Sequence, residues 1–264
     1  MKKTLIALSL AALTLPVLAQ DKKAPEPDYT ISGNFGLTSD YRFRGISQSN
    51  KDPAVQGGID FEHKSGLYLG NWNSSVSEWA SPYGSGIEMD VYGGYKTELM
   101  GVGLDIGLIY YYYPGAQSDM GESFNPFNTR EFYVGLSYGP VSFKASRTMS
   151  ERYFGLGKNG GEDLTTNAKG TMYYDLSFSK EIMANTTLDA KAGFLRFADK
   201  VAGTPTIKDY SIGVTYDLSG WGIGLAYYKT SGLNDAAKEW FTSTDDRGTK
   251  LYDSGVALTI SKSF

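Results

Sequence analysis

Residues 210–227 read YSIGVTYDLSGWGIGLAY, two runs of alternating apolar and polar or small residues joined by a short turn. A period of two is the pattern of a β-strand with one apolar face, because successive side chains point to opposite sides of a sheet. The stretch therefore predicts an antiparallel hairpin. Its apolar face carries Tyr210, Ile212, Val214, Tyr216, Trp221, Ile223, Leu225 and Tyr227.

The same alternation recurs along the chain and predicts twelve strands in all. In the weaker segment 66–74 both parities remain open as the apolar face. An even number of strands is what a closed up-and-down barrel with both ends on one side requires. In the other strands the apolar parity is carried by Ile31, Phe35, Leu37, Tyr41 and Phe43, by Val55, Ile59 and Phe61, by Ile87, Met89, Val91 and Tyr95, by Val102, Leu104, Ile106, Leu108 and Tyr110, by Phe132, Val134, Leu136 and Tyr138, by Val141, Phe143 and Ala145, by Met172, Tyr174, Leu176 and Phe178, by Leu188, Ala190, Ala192 and Phe194, and by Val256, Leu258, Ile260 and Phe264.

The connections between these strands alternate strictly between short and long. The short ones are 63–66, 98–101, 139–140, 181–185 and 218–220, and the long ones are 45–53, 75–86, 114–128, 150–170, 198–208 and 229–249. Outer-membrane barrels have short periplasmic turns and long extracellular loops. The sequence thus predicts an all-β fold, a transmembrane up-and-down antiparallel β-barrel of 12 strands over residues 29–264.

Composition narrows the function classes. The mean hydropathy of −0.30 is too low for a helical transporter. The chain has no cysteine and one histidine, His63, so disulfides and Cys-based metal sites are excluded. Acyl transfer by serine needs a base, usually histidine, and His63 falls in a predicted turn. We therefore predict that the protein is not an enzyme and has no catalytic residue, metal or cofactor.

The first residues have the parts of a secretory signal peptide. Lys2 and Lys3 precede an apolar run over 5–18 and a small residue, Ala19, which predicts a signal peptide over 1–19. Residues 20–28 are expected to form a flexible periplasmic lead-in. Without the two lysines, 23 basic residues stand against 29 acidic ones, an excess that argues against nucleic acid as a partner.

Two features place the predicted barrel in the outer membrane of a Gram-negative bacterium. Leu258, Ile260 and Phe264 share one parity of the last strand, a pattern similar to the signature that the barrel-assembly machinery reads. Outward aromatic residues gather at strand ends, where rings favour the interface of a membrane. We expect outer-membrane lipid and lipopolysaccharide to surround the wall. The aromatic positions are Tyr41, Phe43, Tyr95, Tyr110, Tyr112, Tyr138, Phe178, Tyr216, Trp221 and Tyr227.

Four stretches resemble the N-terminal hallmark of the TorF-like porin family. They are SDYRFRGISQ (39–48), PAVQGG (53–58), SGLYLG (65–70) with Trp72, and EMDVYGGY (88–95). The rest of the chain matches mainly in pattern. The resemblance implies an outer-membrane barrel that acts as a pore, and it implies no particular solute.

The inward parity carries twelve acidic and five basic residues, and this excess predicts a pore for small hydrophilic solutes or ions with weak cation preference. The alternative is that the charges pair across a narrow lumen, which gives a non-conducting surface-binding or structural barrel. Arg42 and Arg44 form either an electropositive rim or salt bridges with Asp40 and nearby acids. The predicted pore-lining residues are Asp40, Arg42, Arg44, Asp60, Glu62, Glu88, Asp90, Lys96, Asp105, Glu131, Lys144, Asp175 and Lys191.

The last long loop has two further features. Residues 234–241 are predicted to form a helical turn that folds Trp240 and Phe241 over the mouth of the barrel. Asp235, Glu239 and the pair 245–246 are acidic, but their spacing matches no calcium loop, which favours a solvated acidic loop.

Overall fold

The structure is a computed structural model that describes residues 27–117, 127–157, 167–198, 206–243 and 245–264. The predicted signal peptide and residues 20–26 of the lead-in lie outside the described residues. Twelve long strands form the fold: β1 (Tyr29–Thr38), β4 (Ala54–His63), β5 (Leu67–Ser75), β6 (Ile87–Leu99), β7 (Val102–Tyr112), β8 (Thr129–Tyr138), β9 (Val141–Thr148), β12 (Met172–Met183), β13 (Thr186–Arg196), β14 (Ile207–Leu218), β15 (Trp221–Ser231) and β16 (Gly255–Ser263). Two loop hairpins are formed by β2 (Arg42–Phe43) with β3 (Ile46–Ser47) and by β10 (Arg152–Tyr153) with β11 (Leu156–Gly157).

The twelve long strands form one closed barrel in which every neighbour is antiparallel. The first and last strands close it, with Leu37 of β1 opposite Ile260 of β16. The Phe264 backbone continues this pairing, since it exchanges two hydrogen bonds with Gly33, at 2.7 and 2.9 Å. A side chain at Gly33 would meet the Phe264 ring at 2.6 Å, so the glycine makes room for the terminal aromatic. The predicted fold class is confirmed.

The predicted two faces are present on the barrel wall. Outward apolar side chains are exposed, for example Ile59 at 62% and Ile212 at 54%. In β5, Leu67 and Leu69 face outward and Tyr68 faces inward, which settles the parity that the sequence left open. No helix in the described part of the chain is long and apolar enough to cross a membrane.

The alternation of short turns and long loops is also confirmed. Two residues join β6 to β7, β8 to β9, β12 to β13 and β14 to β15, and three join β4 to β5. The other connections are long, and all of them lie at the opposite end of the barrel. We call these the short-turn end and the long-loop end.

One strand boundary in the prediction is wrong. The alternation was expected to continue to Arg44, but β1 ends at Thr38 and residues 39–53 fold into the barrel. We call residues 39–53 the plug segment. Tyr41 and Phe43, predicted to face outward, lie inside because they pack edge-on against the inward rings of Trp72 and Tyr111. Positive φ angles at Arg44 and Gly45, 49° and 81°, make the turn between β2 and β3.

A buried apolar cluster fills the long-loop end. The predicted helical turn is confirmed as α1 (Asp235–Trp240). The Trp79 indole N–H donates to the Trp240 carbonyl at 2.9 Å, and Phe241 is buried against Trp79. The cluster contains Ile46, Tyr153, Leu156, Ala168, Tyr173, Leu195, Phe197, Ile207, Ala237, Phe241 and Leu251. The barrel therefore has a packed core inside its long-loop end.

Candidate functional site

The plug segment reaches across the whole lumen. It leaves β1, yet Arg44 contacts Glu131 on β8 and Tyr173 on β12, and each of those strands is five away from β1 around the ring. On other sides, Tyr41 bonds to Glu88 on β6, and the Gly45 carbonyl accepts from Thr230 on β15. The segment thus touches strands around most of the circumference.

Arg44 is the central anchor of the plug segment. Its Nη1 and Nη2 atoms donate to the two carboxylate oxygens of Glu131 at 2.9 and 2.6 Å, and Nη1 also donates to the Tyr153 hydroxyl at 2.8 Å. Its guanidinium carbon lies 4.2 Å from the Tyr173 ring centroid. Arg44 is 7% exposed and Glu131 1%, so this bidentate pair is shielded from water. Burial alone would lower the pKa of Arg44, but the Glu131 carboxylate outweighs it and holds that pKa well above its usual value.

A second anchor lies on β6, two strands from β8 around the ring. The Tyr41 hydroxyl donates to Glu88 Oε1 at 3.1 Å, and burial, reinforced by the Glu88 charge, raises the pKa of Tyr41 well above its ordinary value. The buried side chains of Tyr113 and Asp90 lie beside Glu88. Glu88 Oε2 and Asp90 Oδ1 have no hydrogen-bond partner among the described residues. The plug segment therefore rests on inward carboxyl groups of two strands, β6 and β8.

Arg42 holds the entry of the plug segment. Its Nε donates to Asp40 Oδ2 at 2.6 Å, and its Nη1 donates to the carbonyls of Gly45, Leu251 and Asp253. The second Asp40 oxygen accepts from Ser47 at 2.6 Å. Both Arg42 and Arg44 are held in ion pairs, as the salt-bridge interpretation expects, and neither is presented as a free electropositive rim.

The other ten predicted lining residues lie on barrel strands, and all have the inward parity. Toward the short-turn end the inward charges are solvated: Glu62 is 56% exposed and Lys96 49%, and they form an ion pair at 3.0 Å. Lys191 bridges Asp175 and Asp209 at 3.2 and 3.6 Å. Pairing among these inward charges is local and partial. We call the space that they line below the plug segment the vestibule.

Tyrosines are the lining residues that the sequence reasoning missed. The hydroxyl of Tyr68 donates to Asp105 at 2.7 Å and lies against the hydroxyl of Tyr133. Tyr92 donates to Asp60 at 2.6 Å, and Tyr173 to Asp209 at 3.1 Å. In the sequence these tyrosines stand at inward strand positions, among polar and charged residues. A prediction of the lining from charged residues alone does not include them. These bonds fix the acidic side chains against the wall.

A small cavity lies within the packed core of the long-loop end. Its volume is about 40 Å³, room for only a few waters, and Arg44 is its one charged lining residue. The other linings include Phe43, Tyr113, Phe154 and Trp240.

No metal-binding arrangement is found within the described residues. His63 ends β4, and its Nδ1 lies 2.8 Å from the Ser65 hydroxyl in a turn at the short-turn end. No group of three or more His, Asp or Glu side chains there is placed to hold a metal ion. In the last loop, Asp245 pairs with Arg247 and Asp235 with Lys238.

An exposed bridge joins the plug segment to the last loop. Arg247 donates to both carboxylate oxygens of Asp52 at 2.9 and 2.7 Å, and this hydrogen bonding lowers the pKa of Asp52. A carboxyl whose pKa is lower in the folded state than in the unfolded chain, where it is near 3.9, stabilises the fold at pH values above the unfolded pKa. This contribution to stability is lost as the pH falls through the pKa of the folded state.

We expect Asp52→Asn to lower the thermal unfolding midpoint slightly at pH 6. As pH falls through the lowered pKa of Asp52, the midpoints of the variant and the parent should converge. Circular dichroism melts across this range measure the difference. A difference that does not depend on pH would contradict an ionic role for Asp52.

Comparisons with known proteins agree with this architecture. The model of the Gcw_chp family, described as bacterial proteins of unknown function, matches residues 22–264. The NanC porin is similar in structure, with a TM-score of 0.52 and 11% identity over 89% of this chain and 99% of that chain. The KdgM porin in complex with disordered oligogalacturonate gives a TM-score of 0.50 and 8% identity over 89% and 98%. No curated protein sequence matches the chain.

Proposed function

The chain belongs to the Gcw_chp family of bacterial proteins of unknown function, and we propose that it is an outer-membrane channel closed by a plug. The observation that carries this proposal is a closed barrel with an outward apolar wall, a charged inner wall and a loop seated across the lumen. Backbone groups in hydrocarbon must all be paired, which a closed barrel achieves. The fold likeness to the NanC porin supports a porin-like channel.

The long-loop end then faces the cell exterior and the short-turn end the periplasm. Outer-membrane lipid, including lipopolysaccharide, surrounds the wall, and small hydrophilic solutes or ions enter the vestibule. The barrel-assembly machinery reads the last strand, whose Phe264 packs on Gly33. The resemblance of the N-terminal stretches to TorF-like porins is consistent with this proposal.

Solute passage requires that the plug segment leave its seat. Its first residue, Ser39, donates its backbone N–H to Leu258 of β16, and its backbone also bonds to the loop residues Leu251 and Ser77. Inside the lumen its anchors on the wall are side-chain bonds, such as those of Tyr41 and Arg44. Displacement of the segment therefore leaves the twelve strands paired. A charged vestibule continuous with the periplasm would then connect to the exterior.

The proposed selectivity is a weak preference for cations. Asp60, Glu62 and Asp105 line the vestibule, and an inner wall with excess negative charge attracts cations. We expect the reversal potential of open channels under a KCl gradient to be on the cation-selective side. The triple variant Asp60→Asn, Glu62→Gln, Asp105→Asn should move it toward the anion side.

Asp235→Asn is the matched control, because it removes an acid from a surface loop and should leave the reversal potential unchanged. Anion selectivity in the parent protein would overturn the proposed preference.

A second candidate function is a non-conducting surface-binding or structural barrel. The observation that favours it is the packed core at the long-loop end, which encloses a small cavity. A folded barrel that never conducts, even with its plug segment weakened, would support this candidate.

A further inference from the structure

Five basic side chains lie on the outward face of the barrel near its long-loop end. All five are exposed, and within the described residues none forms an ion pair. They are Arg130 on β8, Arg147 on β9, Arg196 on β13, Lys208 on β14 and Lys229 on β15. We call this set the basic belt.

Strand register places the belt in one continuous row. Met172 on β12 is opposite both Arg147 and Arg196, so these two arginines flank it on either side. The remaining neighbours are diagonal pairs, which in a sheet lie about 7–8 Å apart. Four belt residues have an outward aromatic residue as cross-strand partner: Arg130 has Tyr110, Arg147 has Phe132, Lys208 has Phe194 and Lys229 has Tyr210.

The charge of this wall sector is one-sided. No outward strand position from β7 to β15 in the described residues is acidic. On the other side of the barrel, the outward positions nearest the long loops are neutral: Leu37, Val55, Ser75, Ile87 and Val256. The belt is thus a localised feature of the wall.

An apolar surface continues directly below the belt toward the short-turn end. Val134, Leu136, Leu176 and Ile212 face outward there, and Leu136, Leu176 and Ile212 are among the exposed large apolar residues. A ligand that suits both parts has an anionic head at the level of the belt and hydrocarbon chains below it. Guanidinium groups bind phosphate oxygens in bidentate fashion, and lysine binds them as a point charge.

We propose that the basic belt binds the phosphorylated headgroup of an outer-leaflet membrane lipid, whose acyl chains pack on the apolar wall beneath. This inference rests on the outer-membrane location under the proposed function. Conduction through the lumen and lipid binding on the outer wall are measured in separate experiments. Failure of the proposed lipid binding therefore does not decide whether the barrel conducts, and failure of conduction does not decide whether the belt binds lipid.

The test is native mass spectrometry of the full-length folded barrel titrated with lipid A carrying two phosphates. We expect the variant Arg147→Gln, Arg196→Gln, Lys208→Gln to lose at least about tenfold in affinity, since each base near a membrane surface contributes to attraction of anionic lipid. The parent should also bind dephosphorylated lipid A more weakly than the phosphorylated form.

The matched control removes three bases from the short-turn end: Lys64→Gln, Lys180→Gln, Lys262→Gln. It should bind the phosphorylated lipid as the parent does, and circular dichroism should show that both variants are folded. Equal losses in the two triple variants would overturn the proposal. So would parent binding that is indifferent to the phosphates.

Discussion

Replacing Arg44 with methionine is expected to destabilise the folded protein by about 3–5 kcal/mol, the cost typical of breaking a buried ion pair from one side. The change leaves the Glu131 carboxylate, 1% exposed, without its bidentate partner. Three aromatic rings would also lose their cation contact: Phe43, Tyr153 and Tyr173. Denaturant unfolding of the protein in lipid vesicles measures the difference.

The double variant Arg44→Met, Glu131→Gln is the matched control for this prediction. Because it removes both charges, it should recover most of the loss. Equal stability of the single variant and the parent would show that Arg44 does not anchor the plug segment.

Substitution of Gly45 by valine is expected to unseat the plug segment. Gly45 has a φ of 81°, and a Cβ there would lie 2.6 Å from the Asp209 Cβ and against the Thr230 hydroxyl. Overpacking of this kind costs about 1–3 kcal/mol, enough to shift the seating equilibrium roughly tenfold. The strand ladders are not involved, so the barrel should persist.

The absence of cysteine from the sequence provides a direct probe of seating. Ile46 is 5% exposed, so a single cysteine introduced there should react slowly with a water-soluble maleimide. We expect the labelling rate to rise about tenfold when Gly45→Val is added, in line with the overpacking cost.

Gly248→Val serves as the control in the labelling experiment. Gly248 also has a positive φ, 55°, but nothing lies within 4 Å of its Cβ position. It shares the backbone strain and lacks the clash, so labelling at residue 46 should stay slow. Slow labelling in the Gly45 variant as well would show that the plug segment tolerates the side chain.

The barrel could be predicted from the sequence because its determinants are local. Alternation in stretches such as 210–227 sets the two faces of each strand, and turn residues set the connections. The strand order then follows from antiparallel neighbours and closure. Solvent on one face and apolar surroundings on the other leave little freedom of register.

The plug segment could not be predicted because its determinants are distant. Residues 39–44 continue the alternation of β1, so nothing local marks the end of the strand at Thr38. The contact that seats the segment joins Arg44 to Glu131, 87 positions away. The run of four tyrosines at 110–113 does indicate a partner inside the barrel. It places aromatic rings on the inward face of the strand as well as on the outward face, and the inward rings need an apolar partner.

The inward charges form two groups in the structure, which their sequence positions do not distinguish. Asp40, Arg42, Arg44, Glu88 and Glu131 act together in seating the plug segment. The vestibule residues instead keep contact with water, as Glu62 and Lys96 do. The sequence gives the sign of the charge on each of these residues. Their positions along the barrel axis are known only from the fold.

Single-channel conductance of the refolded protein in a planar bilayer tests the central claim, that the seated plug segment closes an otherwise open barrel. We expect the parent to show small or rare openings and Gly45→Val to show larger, stable steps under the same KCl conditions. Gly248→Val should behave as the parent does. Large, stable steps in the parent, or a folded Gly45→Val barrel that never conducts, would contradict the account.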